Sequence, residues 1–307
     1  MAVKEAERSW LDNWRFRHQS SFAEGRYNVR VFLKDRLALA GVVVILFIII
    51  IAIFAPHLAP YPSQGAGESA QPILKMQFLA PSWHHLMGTD IYGRDILSRV
   101  MYGAKIPLII SFLVTLSCVL IGVPLGGVAG YYGGVVDEVI MRITDIFLAF
   151  PVLVLAIFFV AFLGASLTNV AIALVISWWP WYTRIVRGMA ASLRERPYVE
   201  AAKVMGVRNL TIIRRHILPN SLGPVVVQMT LDVGTVILAA AGLSFIGLGA
   251  QPPTAEWGSM VADGRDLMVS GQWWVGVFPG LAILILVLAF NLVGDGLRDV
   301  LDPRSKR

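Results

Sequence analysis

Residues 37–56, LALAGVVVILFIIIIAIFAP, carry no charge and hardly a polar atom. A run of about 20 apolar residues is what one helix needs to cross the hydrocarbon core of a bilayer, where each backbone N–H and C=O must find its partner within the protein. Five further stretches follow, at 106–130, 143–163, 167–183, 224–249 and 274–294, the fourth being the shortest. The fold expected is therefore an all-α integral membrane protein with six transmembrane helices. It divides into an N-terminal segment, 1–36, and a six-span domain, 37–307, with a long loop over 184–223. Composition agrees, since 56% of residues are hydrophobic and only 15% charged, and the mean hydropathy is +0.68. Soluble domains lie far from these values.

The 36 residues before the first run are basic and no small-residue cleavage site follows that run closely, so the first span is expected to stay as an anchor. Trp10, Trp14 and Phe16 in this segment suit an interfacial helix on the cytoplasmic leaflet, with a disordered tail as the alternative. Cys118 is the one cysteine, so no intrachain disulfide can form.

Basic loops stay on the cytoplasmic side. With the N-terminus inside, 21 of the 26 Lys and Arg fall in segments 1–36, 131–142, 184–223 and 295–307, and five in the segments facing out. Both termini are thus expected in the cytoplasm, and the pI of 9.6 follows from topology rather than from nucleic-acid binding, for which no platform of alternating aromatic and basic residues exists. Trp178, Trp179, Trp181 and Tyr182 are placed as an aromatic belt at the inner end of span four, and Trp273 and Trp274 at the outer start of span six.

Within the spans, Gly122, Gly126 and Gly130 recur at every fourth residue, leaving one helical face without side chains for close helix packing. Pro107, Pro124, Pro151, Pro180 and Pro279 read as static kinks or hinges. Two carboxylates lie inside. Asp232 stands about nine residues into span five, near mid-membrane, and is a candidate for a pathway or helix-contact role; Asp145, a turn from Arg142, is expected to pair with it, a transport role being the alternative.

No HExxH, GxSxG or GxxxxGK[ST] pattern is present, so the chain is not expected to be an enzyme or to hydrolyse ATP itself. His84 and His85 adjoin each other in an outer loop and read as plain loop residues, because neighbours rarely point at one metal. No metal or cofactor site is expected in this chain.

The loop is more informative. Pro197 suits a first helical turn, YVEAAKVM continues it, and Gly206 is a natural left-handed stop. Asn209 is placed to cap a second helix with Leu210, Ile213 and Ile217 on one face, ended by Pro219. Ala201 and Ala202 beside the glycine form a compact knob suited to a groove on a soluble partner, an amphipathic helix held to anionic lipid by Arg214 and Arg215 being the alternative.

Glu200, Ala201, Ala202, Gly206, His216, Leu218 and Pro219 resemble the EAA loop of ATP-binding-cassette importer permeases, with His216 where Ile is usual. HHLMGTDIYGRDILSRVMYGAKIPL (84–108) and LSFIGLGAQPPTAEWGSM (243–260) are similar to signatures of the dipeptide, oligopeptide and nickel branch, C-type subunit, with Ala240 where relatives carry Glu. The resemblance covers nearly the whole chain and implies a type I importer permease fold in a prokaryotic cytoplasmic membrane. It also implies a second homologous permease subunit, two ATPase subunits that bind ATP and Mg and dock on the EAA helix, and an extracytoplasmic binding protein. Peptides are the implied cargo, with nickel, glutathione or oligosaccharide as alternatives. From the residues alone, a self-sufficient channel or secondary transporter using Asp232 and Asp145 stands as the rival, and a membrane-embedded enzyme as a third class.

Overall fold

The computed structural model describes residues 29–65 and 74–301, and the expectations for the first 28 residues, including Trp10, Trp14 and Phe16, lie outside them. Ten helices carry the architecture: α1 (Arg36–Leu58), α2 (Ile96–Gly103), α3 (Lys105–Tyr132), α4 (Gly134–Leu148), α5 (Val152–Leu163), α6 (Leu167–Leu193), α7 (Pro197–Val204), α8 (Asn209–Phe245), α9 (Trp257–Gly264) and α10 (Trp274–Leu301). No β-strand occurs among the described residues.

Among the described residues, four helical stretches are long and apolar enough to span a membrane, namely α1, α2 with α3, α8 and α10, and the α4–α5 pair makes a fifth if taken as one broken span. α6 is of spanning length, but its second half carries Arg184 and Arg187. α1 begins where Asp35 accepts hydrogen bonds from the N–H groups of Leu37 and Ala38, at 2.9 and 3.2 Å. It buries only Ala38, Gly41, Ile48 and Ala55 in the bundle, so its large residues face lipid, where exposure costs nothing.

Helices α3 and α6 form the most extensive contact; α8 packs against both and against α10, α10 carries α1 on its far side, and α5 lies on α6. Glycines explain the central contact. A Cβ at Gly122 would stand 2.6 Å from the Tyr182 Cβ, one at Gly126 would stand 2.5 Å from the Thr183 carbonyl, and one at Gly130 would overlap the Arg187 carbonyl. The expected packing role of these three residues therefore has a specific partner, the backbone of α6.

Two expectations about helices change. The third span, placed over 143–163, is not straight: α4 and α5 meet at 84° across Ala149, Phe150 and Pro151, where Pro151 removes a backbone donor. The fourth, placed over 167–183, continues to Leu193, so Trp178, Trp179, Trp181 and Tyr182 lie within the helix rather than at its end, and Tyr182 is wholly buried. The extension is held by ion pairs to α4, because Arg187 Nε donates to Asp137 at 3.0 Å and Arg184 pairs with Asp145. Asp145 thus pairs across helices with Arg184, not with Arg142, which instead lies 3.7 Å from Glu138 on its own helix.

Replacing Gly126 by Val forces α3 and α6 apart. Overpacking of this kind costs about 3 kcal/mol; the expected outcome is a melting temperature well below wild type in detergent, and an unchanged value would contradict the assigned contact.

Candidate coupling and pathway sites

At the basic end of the bundle, residues 197–219 form a hairpin. Pro197 occupies the first turn of α7. The helix stops in a glycine-based turn: Gly206 has φ +75°, its N–H donates to the Lys203 carbonyl at 3.0 Å, and the Val207 N–H reaches back to Ala202 at 3.1 Å. Nothing lies within 4 Å of a Cβ built at Gly206, so glycine is required there by backbone conformation, not by crowding.

α8 then begins, and here the structure departs from the sequence reading twice. Asn209 does not cap the helix; it lies in the first turn, where its Oδ1 accepts from the Tyr131 hydroxyl of α3 at 2.8 Å. Pro219 does not end it. A wide turn over Ile213–Ile217, in which the Leu218 N–H donates to the Ile213 carbonyl, lets the chain pass Pro219 and run unbroken to Phe245. Such a turn accommodates a residue with no N–H and a ring that would meet the carbonyl four residues back.

The hairpin is anchored on a small core of Tyr131, Ala190, Val199, Ala202, Ile212, Ile213 and Ile217. Leu210, expected on the apolar face, is instead 61% exposed, and Ile212 takes its place. Lys203 stands over the Tyr131 ring at 5.2 Å, and the His216 ring lies 6.0 Å from that of Tyr198, tying α7 to α8. Leu218 fills the space left by the missing side chain of Gly127.

The motif residues accordingly separate. Ala202 is buried and holds the hairpin to α3 and α6, whereas Glu200, Ala201, Gly206 and Pro219 are exposed. The knob expected from Ala201 and Ala202 together therefore presents Ala201 alone. Beside it Val204 and Met205 are 89% and 75% exposed, an apolar edge on a braced hairpin.

At the middle of the Leu218–Phe245 part of α8, Asp232 is 5% exposed. Gln228 donates to its Oδ1 at 2.9 Å, and Oδ2 has no hydrogen-bond partner. The Tyr182 hydroxyl and the Trp178 indole are electrostatic neighbours of the carboxyl, but neither meets it in ordinary hydrogen-bond geometry. A cavity of about 240 Å³ adjoins Asp232, closed on one side by Leu148 and Val152 at the α4–α5 elbow and on the other by Trp178 and Trp181 of α6. The second carboxylate, Asp145, lies three residues before Leu148, paired with Arg184, so the two are near the same elbow but in different states of compensation. Ala240, two turns further along α8, is part of the main apolar core.

At the opposite end the two signature segments meet. The Asp90 carboxylate accepts from the N–H groups of Tyr92 and Arg94 and from Arg94 Nε at 2.7 Å, with Arg99 Nε at 3.7 Å. Arg99 also reaches the Pro253 and Thr254 carbonyls at 3.4 Å, and the Trp257 indole donates to the Val100 carbonyl at 2.9 Å. Contrary to the plain-loop reading, His85 is buried, its Nδ1 2.9 Å from Asp95, whose other oxygen caps α2 through the Ser98 N–H. Buried charges of this kind persist only when paired. Sequence spacing carried no signal for the His85–Asp95 pair, because nine residues of irregular loop separate them.

Glu256 caps α9, accepting from the Gly258 and Ser259 N–H groups at 2.9 and 2.8 Å. Its burial outweighs those bonds and lifts its pKa above the ordinary 4.5. A folded state that holds a proton more tightly than the unfolded chain is most favoured at low pH and loses that advantage as pH rises through the window above 4.5. Wild-type melting temperature, taken relative to Glu256→Gln, is therefore expected to fall as pH rises from 4.5 towards neutrality; a constant difference would contradict the assignment.

Comparison with known proteins now places the chain. Residues 122–307 match the family described as binding-protein-dependent transport system inner membrane component, and residues 25–81 match the N-terminal TM domain of oligopeptide transport permease C. The chain belongs to this family: it is a membrane subunit of a multi-subunit ABC transporter that works with an ATPase and a binding protein. It is 48% identical over 273 residues to the dipeptide transport system permease protein DppC of Alkalihalophilus pseudofirmus, covering 89% of this chain and 88% of that one. It is 43% identical to DppC of Haemophilus influenzae, over 90% and 93% of the two chains, and 43% identical to the glutathione transport system permease protein GsiD of Pectobacterium atrosepticum, over 90% of each. An inward-facing crystal structure of the MetNI methionine ABC transporter contains a chain of the same fold, with a TM-score of 0.52 at 22% identity over 66% of this chain and 96% of that one.

Proposed function

We propose that this chain is the C-type permease subunit of a peptide importer, forming half of the translocation path beside a second homologous permease. Relatives named for dipeptide transport, at 41 to 48% identity, support the cargo, and the relative named for glutathione is of the same chemical kind, since glutathione is itself a tripeptide. The membrane is the prokaryotic inner membrane, with six crossings and both termini in the cytoplasm, in keeping with the distribution of Lys and Arg. ATP and Mg are bound by two ATPase subunits, and an extracytoplasmic binding protein delivers the peptide.

The observation that carries this reading is the exposed edge of α7. Glu200, Ala201, Val204, Met205 and Gly206 face out from a hairpin whose other side is bonded into α3 and α6, so force applied to that edge is not lost in a loose loop. An ATPase cleft that closes on ATP binding biases the permease between its two states only through unequal contact with them. Ala201 is small enough for the cleft wall to approach the helix backbone, and His216, Leu218 and Pro219 lie on α8, which runs on from the hairpin to Asp232. Asp145 serves here as the brace to Arg184, not as a free carboxylate in a path of its own.

Ala201→Arg leaves the buried side of the hairpin untouched. The variant is expected at wild-type level in the membrane, with co-purification of the ATPases lost and dipeptide uptake reduced to background; full uptake would overturn the coupling role.

A further inference from the structure

We propose that the cavity beside Asp232 is the subsite where this subunit receives a protonated amino group of the transported solute. The inference rests on the peptide-permease reading and adds to it a place and a chemistry.

Asp232 lies 14 residues from the start of the Leu218–Phe245 segment and 13 from its end, about 20 Å of helix either way. A carboxylate at that depth needs a partner or a watery path. None of the ion pairs among the described residues includes Asp232, and the two arginines further along α6 are committed elsewhere, Arg184 to Asp145 and Arg187 to Asp137. One oxygen is held by Gln228 and the other has no hydrogen-bond partner. The cavity it adjoins holds about 240 Å³, enough for an amino group and the first carbons of a residue.

The surrounding side chains suit an ammonium better than an anion or an apolar group. Trp178 and Trp181 line the cavity, and an aromatic ring face attracts cations through its quadrupole. Ser177 and Gln228 add neutral polar groups, and no lysine or arginine lines the cavity. Trp181 is 47% exposed, so the cavity reaches the surface of this subunit.

The test uses the complete importer, purified with its partner permease and ATPases. A dipeptide with a free amino terminus and a photoreactive first side chain is added without the binding protein, irradiated, and the adducts are mapped by mass spectrometry. The same is done with the N-acetylated dipeptide, with an N-acetylated peptide that carries a lysine, and with Asp232→Asn, which keeps the shape and the Gln228 contact. Labelling is expected within 177–181 or 228–232 for the free amine. A drop of about tenfold is expected on acetylation or in Asp232→Asn, the loss that follows when a charge-assisted bond becomes a neutral one. Recovery with the lysine peptide would likewise support an ammonium subsite, with the side-chain amine as the group received. Equal labelling by the acetylated dipeptide, or adducts only elsewhere in the chain, would overturn the subsite even if the variant failed to assemble. In parallel, the wild-type importer with its binding protein is assayed for dipeptide uptake in liposomes. No uptake at all would overturn the peptide reading and this inference with it, whereas uptake with acetylation-insensitive labelling overturns the subsite alone.

Discussion

The close approach of α3 to α6 is the contact on which the other features rest. In lipid there is no gain from hiding apolar surface between helices, so association must come from van der Waals contact and interhelical hydrogen bonds. Gly122, Gly126 and Gly130 let the backbone of α3 meet that of α6 along three turns, where any side chain would strike Tyr182, Thr183 or Arg187. That approach brings Tyr182 into the core beside α8 and sets Tyr131, at the end of α3, beneath the hairpin it anchors.

Two polar systems are built off the ends of this apolar bundle, each held by paired polar side chains, although His85 Nε2 has no hydrogen-bond partner. At one end Asp90, Arg94, Arg99, His85 and Asp95 form a compact set with the Thr254 and Pro253 carbonyls. At the other the hairpin is tied by Tyr131 to Asn209 and by the core under Ala202. α8 runs from one to the other without a break, from the hairpin through Asp232 to Ser244 near the second signature segment. The wide turn before Pro219 makes that continuity feasible. Asp232, on the same helix, is the one carboxyl of those discussed with an oxygen left unpartnered, the Tyr182 hydroxyl of α6 being another buried polar atom without a hydrogen bond, and it is on this group that the proposed ammonium subsite rests.

Much of this was legible in the residues. Runs of apolar sequence announce helices in lipid because backbone hydrogen bonding admits no other structure there. The glycines at every fourth position announced a close contact, and the φ of Gly206 was implied by its place after a helical run. The motif residues around Glu200, Gly206 and Pro219 marked the hairpin at the basic end of the bundle, and Asp232 stood out by its depth alone. Their spatial meaning was less accessible. Ala201 and Ala202 are adjacent in sequence, yet a 100° step around the helix turns one outward and the other into the core, and the direction of that step is set by Tyr131 and Ala190 from other helices.

Local rules therefore determined which segments become helices, where Gly206 stops one, and which carboxylates are exceptional, because backbone geometry and the cost of charge in lipid act residue by residue. Tertiary structure alone decided the partners. Asp145 goes to Arg184 rather than the nearer Arg142, His85 joins Asp95 across a loop, Pro219 is bypassed instead of ending its helix, and the third span breaks into an elbow that walls one side of the cavity beside Asp232. Each of these depends on which helices come to lie side by side, and that choice is made by packing over distances along the chain that no local pattern encodes.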